Sequence, residues 1–187
     1  MLKLFIIAFS LWVTAGPLPP KGFDFEDKSL QKELQKIGGL EQPEWKEIAV
    51  PEAVANTIQG KFLISADPNN PKKFIYAGRV NSCRQGGCSN PALTLSIETP
   101  EYFDYLIVFD AALAVQQVKV YNYQATHGQE VTNKGWLKQF AGYNGNRSLT
   151  VGKNIDAIAG ATVSVYGITS DVQEKTQILK QIVNGNK

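Results

Sequence analysis

The chain has 187 residues, of which 43% are hydrophobic and 19% charged, the balance of an ordinary folded domain and not of a disordered or collagen-like chain. With 19 Lys and Arg against 17 Asp and Glu, the formal charge is +2, too small for an affinity built on neutralising a phosphate backbone, so nucleic acid is not an expected partner. Two cysteines and one histidine fall short of the four donors of a closed Cys/His zinc site, and no metal site is expected.

Lys3 precedes a charge-free run from Leu4 to Ala15, and Gly16 and Pro17 follow, which is the pattern of a secretory signal peptide. The run is about a dozen residues, whereas a helix needs roughly 20 to cross a bilayer. The expectation is export, with residues 1–15 as the signal, residues 16–28 as a linker and residues 29–187 as one domain. The location is then periplasmic or otherwise extracytoplasmic, or membrane-associated if the segment is not cleaved. No cysteine stands at the cleavage point to carry a lipid, and loss of Lys3 lowers the charge from +2 to +1.

Leu30, Leu34 and Ile37 lie at helical spacing within Ser29 to Ile37, and Gly38 and Gly39 form the stop. Phe62 to Ala66 and Phe74 to Val80 are apolar runs separated by turn-forming Asp, Asn and Pro residues, and they read as a β-hairpin. A second hairpin joins Tyr102 to Phe109 with Leu113 to Tyr123 through Asp110, Ala111 and Ala112, with Val115, Val118 and Val120 adding β-branched weight. Asn133 caps a short helix carrying Trp136, Leu137 and Phe140. A long helix runs from about Thr162 to Val183 with the stripe Ile168, Val172, Leu179 and Ile182. This order predicts an α+β fold, an antiparallel β-sheet with flanking helices and a long C-terminal helix.

The most informative stretch, Asn154 to Ser164, lies where that helix begins. A Gly-containing turn opening a helix presents backbone N–H groups at the positive end of the helix dipole, which suits a phosphate. Small residues at 159–161 admit a bulky anion to the backbone, and the Thr162 hydroxyl would sit beside it. The competing reading makes Thr162 an ordinary N-cap and Gly160 a turn residue.

Asp156, Gly160, Ala161, Thr162 and Ser164 resemble the flavinylation motif of FMN-binding domains, the family that includes extracytoplasmic subunits of the bacterial sodium-translocating NADH:quinone reductase and Rnf-type complexes. The family pattern is Asp, a few small residues, Gly-Ala-Thr or Gly-Ala-Ser, one residue, then Ser or Thr. The resemblance implies that FMN is joined through its phosphate to the Thr162 hydroxyl by a flavin transferase with FAD as donor. Asp156, Gly160, Ala161, Val163 and Ser164 would complete that part of the cofactor site. Ala159 departs from the Ser or Thr usual in the family. Upstream, Thr126, Gly128, Trp136 and Phe140 agree with a second family segment, whereas Ala125, His127 and Gln129 do not. The resemblance covers roughly residues 103–183 and adds Thr126, His127, Gly128 and Trp136 to the candidate cofactor contacts.

A flavin so tethered stays with a protein outside the cytoplasm, and the protein orients and tunes the ring. No Ser/His/Asp or Cys/His set supports a separate catalytic site, so the resemblance implies an electron-transfer flavoprotein with membrane or extracytoplasmic redox partners. His127 is either a donor to the flavin edge or a solvated loop residue. Trp136 and Phe140 are spaced for core packing or for cofactor stacking, and Tyr121 and Tyr123 read as sheet residues. Two other classes remain open: a thiol-redox protein using Cys83 and Cys88, and a flavin-free binding module on the same fold. In an oxidising compartment Cys83 and Cys88, with Gly86 and Gly87 between them, are first expected to form a disulfide that fixes a local turn. Free or labile thiols, and a redox pair coupled to the flavin, are the alternatives.

Overall fold

The computed structural model describes residues 23–39, 43–55, 57–66, 72–82 and 101–185. The expected signal segment, most of the linker, and Cys83 and Cys88 lie outside the described residues.

Five strands form one sheet in the order β1-β2-β3-β4-β5: β1 Trp45–Ile48, β2 Gly60–Ser65, β3 Phe74–Asn81, β4 Tyr102–Phe109 and β5 Val115–Tyr123. Every neighbouring pair is antiparallel. Helices α1 Lys28–Gly38, α2 Glu52–Ala55, α3 Lys134–Leu137 and α4 Thr162–Gly185 complete an α+β architecture. Both expected hairpins are present, and so are α1 and α4. The four-residue elements β1 and α2 were not expected, because each is too short to show a period.

Side-chain alternation along the strands makes two cores. Phe62, Tyr76, Phe103, Tyr105, Ile107 and Phe109 face α4, whose Ile168, Val172, Leu179 and Ile182 are buried against them. Leu63, Ile75, Ala77, Leu106 and Val108 face the other way and bury Leu30 and Leu34 of α1. Phe23 and Phe25 also pack on this second core, so the chain joins the domain before α1 begins. The α1 start is fixed by Asp27, whose carboxylate accepts from the N–H groups of Ser29 and Leu30, and the helix stops at Gly39 with φ +64°.

Strand β5 carries the irregularities. Phe109 pairs with Val115 but Val108 with Gln117, and Tyr105 pairs with Val120 but Asp104 with Asn122. Each shift inserts one extra β5 residue, the signature of a β-bulge. The insertions let Val115, Val118, Val120 and Tyr123 all join the α4-side core despite their uneven spacing. The strand begins at Val115, not at Leu113, because Leu113 takes φ +62° in the turn. The Asp110 carboxylate closes that turn by accepting from the N–H groups of Ala112 and Ala114.

Polar groups buried between α4 and the sheet set the helix's register. The Tyr105 hydroxyl donates to Asp171, and Lys175 Nζ lies 3.0 Å from the other Asp171 oxygen and 2.9 Å from Glu174. Burial pushes the Asp171 carboxyl above its usual range, although Lys175 and Tyr105 pull it back. Only 3% of the Lys175 side chain is exposed, so removing Asp171 leaves this buried charge with only the half-exposed Glu174 carboxylate against it. Asp171→Ala is therefore expected to cost about 3 kcal/mol. Urea unfolding should show a lower midpoint at an unchanged slope. Replacing Asp171 by Leu and Lys175 by Met together should recover most of the loss, because no buried charge then remains unpaired.

Candidate functional site

The chain enters α4 through a tight turn. Gly160 has φ +82°, a left-handed conformation, and a side chain built there would meet no atom within 4 Å. The Ala161 N–H donates to the Ile158 carbonyl, and the Ala161 carbonyl accepts the first helical bond from Val165. Ala161 thus occupies the capping position and Thr162 is the first helical residue, which decides against Thr162 as an N-cap. Alanine has no oxygen with which to cap. The N–H groups of Thr162, Val163 and Ser164 precede the first helical bond and face the positive end of the dipole. Thr162 is exposed, whereas Ala161 is buried against Val131 and Val165.

Ser164 points the other way. Its hydroxyl is 3.1 Å from that of Ser82 and 3.2 Å from that of Tyr123, and the residue is buried. Tyr123 gives its single proton to the His127 carbonyl. Proton counting then orders the chain: Ser82 donates to Ser164, Ser164 to Tyr123, and Tyr123 to the loop backbone. Burial lifts the Tyr123 phenol above its ordinary value against the hydrogen bond to Ser164, so it remains a donor at neutral pH.

This hydroxyl chain joins the loop at 124–128 to the start of α4. Gly128 is required there twice over: its φ is +87°, and a Cβ would lie 2.8 Å from Ser164 Oγ. Thr126 donates to Glu101 at 2.6 Å. The side chains of Thr126 and His127 are exposed.

A second clamp holds the motif from the opposite side. The Trp136 indole N–H donates to the Asp156 carbonyl at 2.9 Å, and the Asp156 N–H donates to Gln139 Oε1 at 2.8 Å. Asp156 is pinned by its backbone and keeps its carboxylate exposed. The Asn133 side chain caps α3 by accepting from Gly135 and Trp136, as expected. Phe140 lies beyond α3 on a 3₁₀ turn, Lys138–Phe140, and is fully buried. Trp136 meets it edge to face at 5.5 Å, so Phe140 is a core residue and Trp136 bridges core and motif.

The structure therefore brings Asp156, Gly160, Ala161, Thr162, Val163, Ser164, Gly128, His127 and Trp136 to one end of the sheet, with Thr126 beside them. Tyr123, Ser82 and Gln139 belong to the same site and were not read from sequence. Tyr123 is a sheet residue, as its sequence pattern implies, and its hydroxyl reaches past the strand end. Among the described residues no cluster of His, Cys, Asp and Glu could hold a metal ion, and no helix is long and apolar enough to cross a membrane.

An antiparallel sheet is thus backed by a long helix whose first turn begins on an alanine, at the sheet end where the loop at 124–128 also lies. Residues 98–177 match the family model described as the FMN-binding domain, which supports a flavin-binding protein. The matched segment contains the loop at 126–128, Trp136 and the whole turn from Asp156 to Ser164. No curated protein matches the chain.

The residues present fit FMN. An open Gly160 leaves room for a phosphate, the first N–H groups of α4 supply donors, and the buried Ser164–Tyr123 contact holds turn and loop together. Gly128→Ala should break that contact by both φ and volume. Hydrogen exchange is expected to speed up in residues 124–132 and in the first turn of α4, with the second half of α4 unchanged.

Proposed function

We propose that this chain carries FMN as a phosphoester on Thr162 and serves as an electron carrier outside the cytoplasm. The observation that carries the reading is the exposed Thr162 hydroxyl at the first position of a helix whose cap is alanine, inside a segment of the FMN-binding family. In maturation, a flavin transferase brings FAD to this turn. The Thr162 oxygen attacks the phosphorus on the flavin side, the bond to the AMP phosphate breaks, AMP leaves, and the hydroxyl proton is released. The bound FMN supplies reversible one- and two-electron chemistry.

The chain's own residues have separate tasks. The N–H groups at the start of α4 face the phosphodiester's negative charge, which the helix dipole stabilises by about 0.5 kcal/mol. Ser164 and Tyr123 hold the loop so that Thr126 and His127 stand at the same surface. Asp156, exposed and fixed through Trp136 and Gln139, is placed to be read by the transferase. Export, implied by residues 1–15, gives a reason for a covalent link, since free flavin lost there is not resupplied. Redox partners of the membrane or the extracytoplasmic space would then meet the flavin at this end of the sheet.

Thr162→Ala should abolish the covalent flavin and leave the domain folded, because an exposed substitution away from a cap changes stability by only about 0.5 kcal/mol. Thr162→Ser should retain it, since the hydroxyl is the reacting group. The measurement is the intact mass of full-length protein co-expressed with a flavin transferase, where wild type gains one FMN less one water. Asp156→Ala should lower the modified fraction. A flavin increment on Thr162→Ala would assign the link to another residue.

A further inference from the structure

Among the described residues, the exposed large apolar side chains are Val163 and Tyr166, 39% and 57% exposed. Single exposed apolar residues need no explanation. These two, however, adjoin Thr162 on the first two turns of α4. Thr162 and Tyr166 are four apart and Val163 and Tyr166 three apart, so both pairs are neighbours on one face, with Cβ atoms about 5–6 Å apart. The rest of α4 shows the opposite tendency: Val165, Ile168 and Val172 turn into the core. An aromatic ring left in water beside the attachment hydroxyl is thus a local departure from a helix that otherwise buries its large apolar groups.

We propose that Tyr166, flanked by Val163, is the surface on which the isoalloxazine ring of the tethered FMN stacks; this rests on the phosphoester at Thr162. The occupant follows from chemistry already described. The ring is flat, apolar on its faces and electron-poor, and a phenol is a flat, electron-rich partner for it. The ribityl chain between phosphate and ring is long enough to cross one helical turn. The alternative direction, toward Trp136, offers an indole already held by Phe140 and by the Asp156 carbonyl.

The test uses the full chain co-expressed with a flavin transferase as wild type, Tyr166→Leu and Tyr166→Phe. Intact mass reports attachment. Fluorescence yield and lifetime per bound flavin, with visible circular dichroism in the flavin bands, report stacking. A stacked phenol quenches the flavin by giving an electron to the photoexcited ring and taking it back. All three proteins should carry the FMN increment, because Tyr166 is not the attachment residue. In Tyr166→Leu the ratio of stacked to open ring should fall about tenfold, in line with heterocycle stacking on aromatic side chains. Fluorescence should then rise and the flavin dichroism weaken. Tyr166→Phe keeps the flat surface but not the phenol donor, so it should hold the dichroism while recovering part of the fluorescence. Full attachment with the same yield, lifetime and dichroism in Tyr166→Leu as in wild type overturns the stack alone. Wild type without the mass increment overturns the tether, and the stack with it.

Discussion

The hold of α4 on the sheet is the constraint from which the site inherits its geometry. An apolar stripe alone would let a helix slide or rotate over a flat aromatic surface with little penalty. The hydrogen bond from Tyr105 to Asp171, backed by Lys175, has only one register in which all its members are satisfied. That register places the first turn of α4 over the sheet end where β3 finishes and β4 begins, since Asn81 pairs with Tyr102. The same end receives Tyr123, opposite Phe103. Ser82 and Tyr123, remote in sequence, therefore meet Ser164 from two strands. Register in the middle of the helix becomes position at its tip.

Local stability has been given up at that tip. Helices α1 and α3 each begin on a side-chain cap, Asp27 and Asn133, and each cap accepts from two N–H groups. The longest helix begins instead on Ala161. A capping oxygen there would be worth about 1 kcal/mol, and its absence leaves the first N–H groups available to an anion. Gly160 adds conformational freedom to the same turn. The fold compensates by burying Ala161 with Val131 and Val165, by clamping Asp156 between Trp136 and Gln139, and by sinking Ser164 into the hydroxyl chain. Contacts to both sides hold a turn that its own sequence does not stabilise.

What could be read from sequence followed the strength of the local signal. The hairpins, α1 and α4 announce themselves through apolar period and turn residues, and the motif around Thr162 through the spacing of its small and hydroxyl residues. Elements of four residues, β1 and α2, carry too few positions to show a period. The β5 bulges were hidden because uneven valine spacing looks the same as imperfect alternation until the partner strand is known. Tyr123 shows why sites are harder to read than folds: one residue supplies a ring to the core and a hydroxyl to the loop, and only the first task leaves a trace in the pattern. Ser82 leaves none, because its partner is Ser164 and nothing near it in sequence marks the contact. Thr162 reads equally as a cap or as the first helical residue, because the difference is one residue of helix start, which depends on where the turn at Gly160 closes.

An exposed site is consistent with a tether. A cofactor held by contacts alone is commonly buried over most of its surface, since affinity must come from the area removed from water. Here Thr126, His127, Thr162, Val163 and Tyr166 all stand at the surface. On the proposed reading the covalent bond replaces that affinity, and the protein's remaining task is orientation. A few contacts suffice for it, because the tether keeps the ring at high local concentration over whatever surface lies within its reach. The side of the flavin turned away from α4 then remains open to a redox partner. A deep pocket would retain free FMN better, but it would also bury the edge through which electrons must pass. On the proposed reading, an uncapped helix start with an exposed hydroxyl and an exposed aromatic ring one turn away resolves that conflict by bonding the phosphate and leaving the ring accessible.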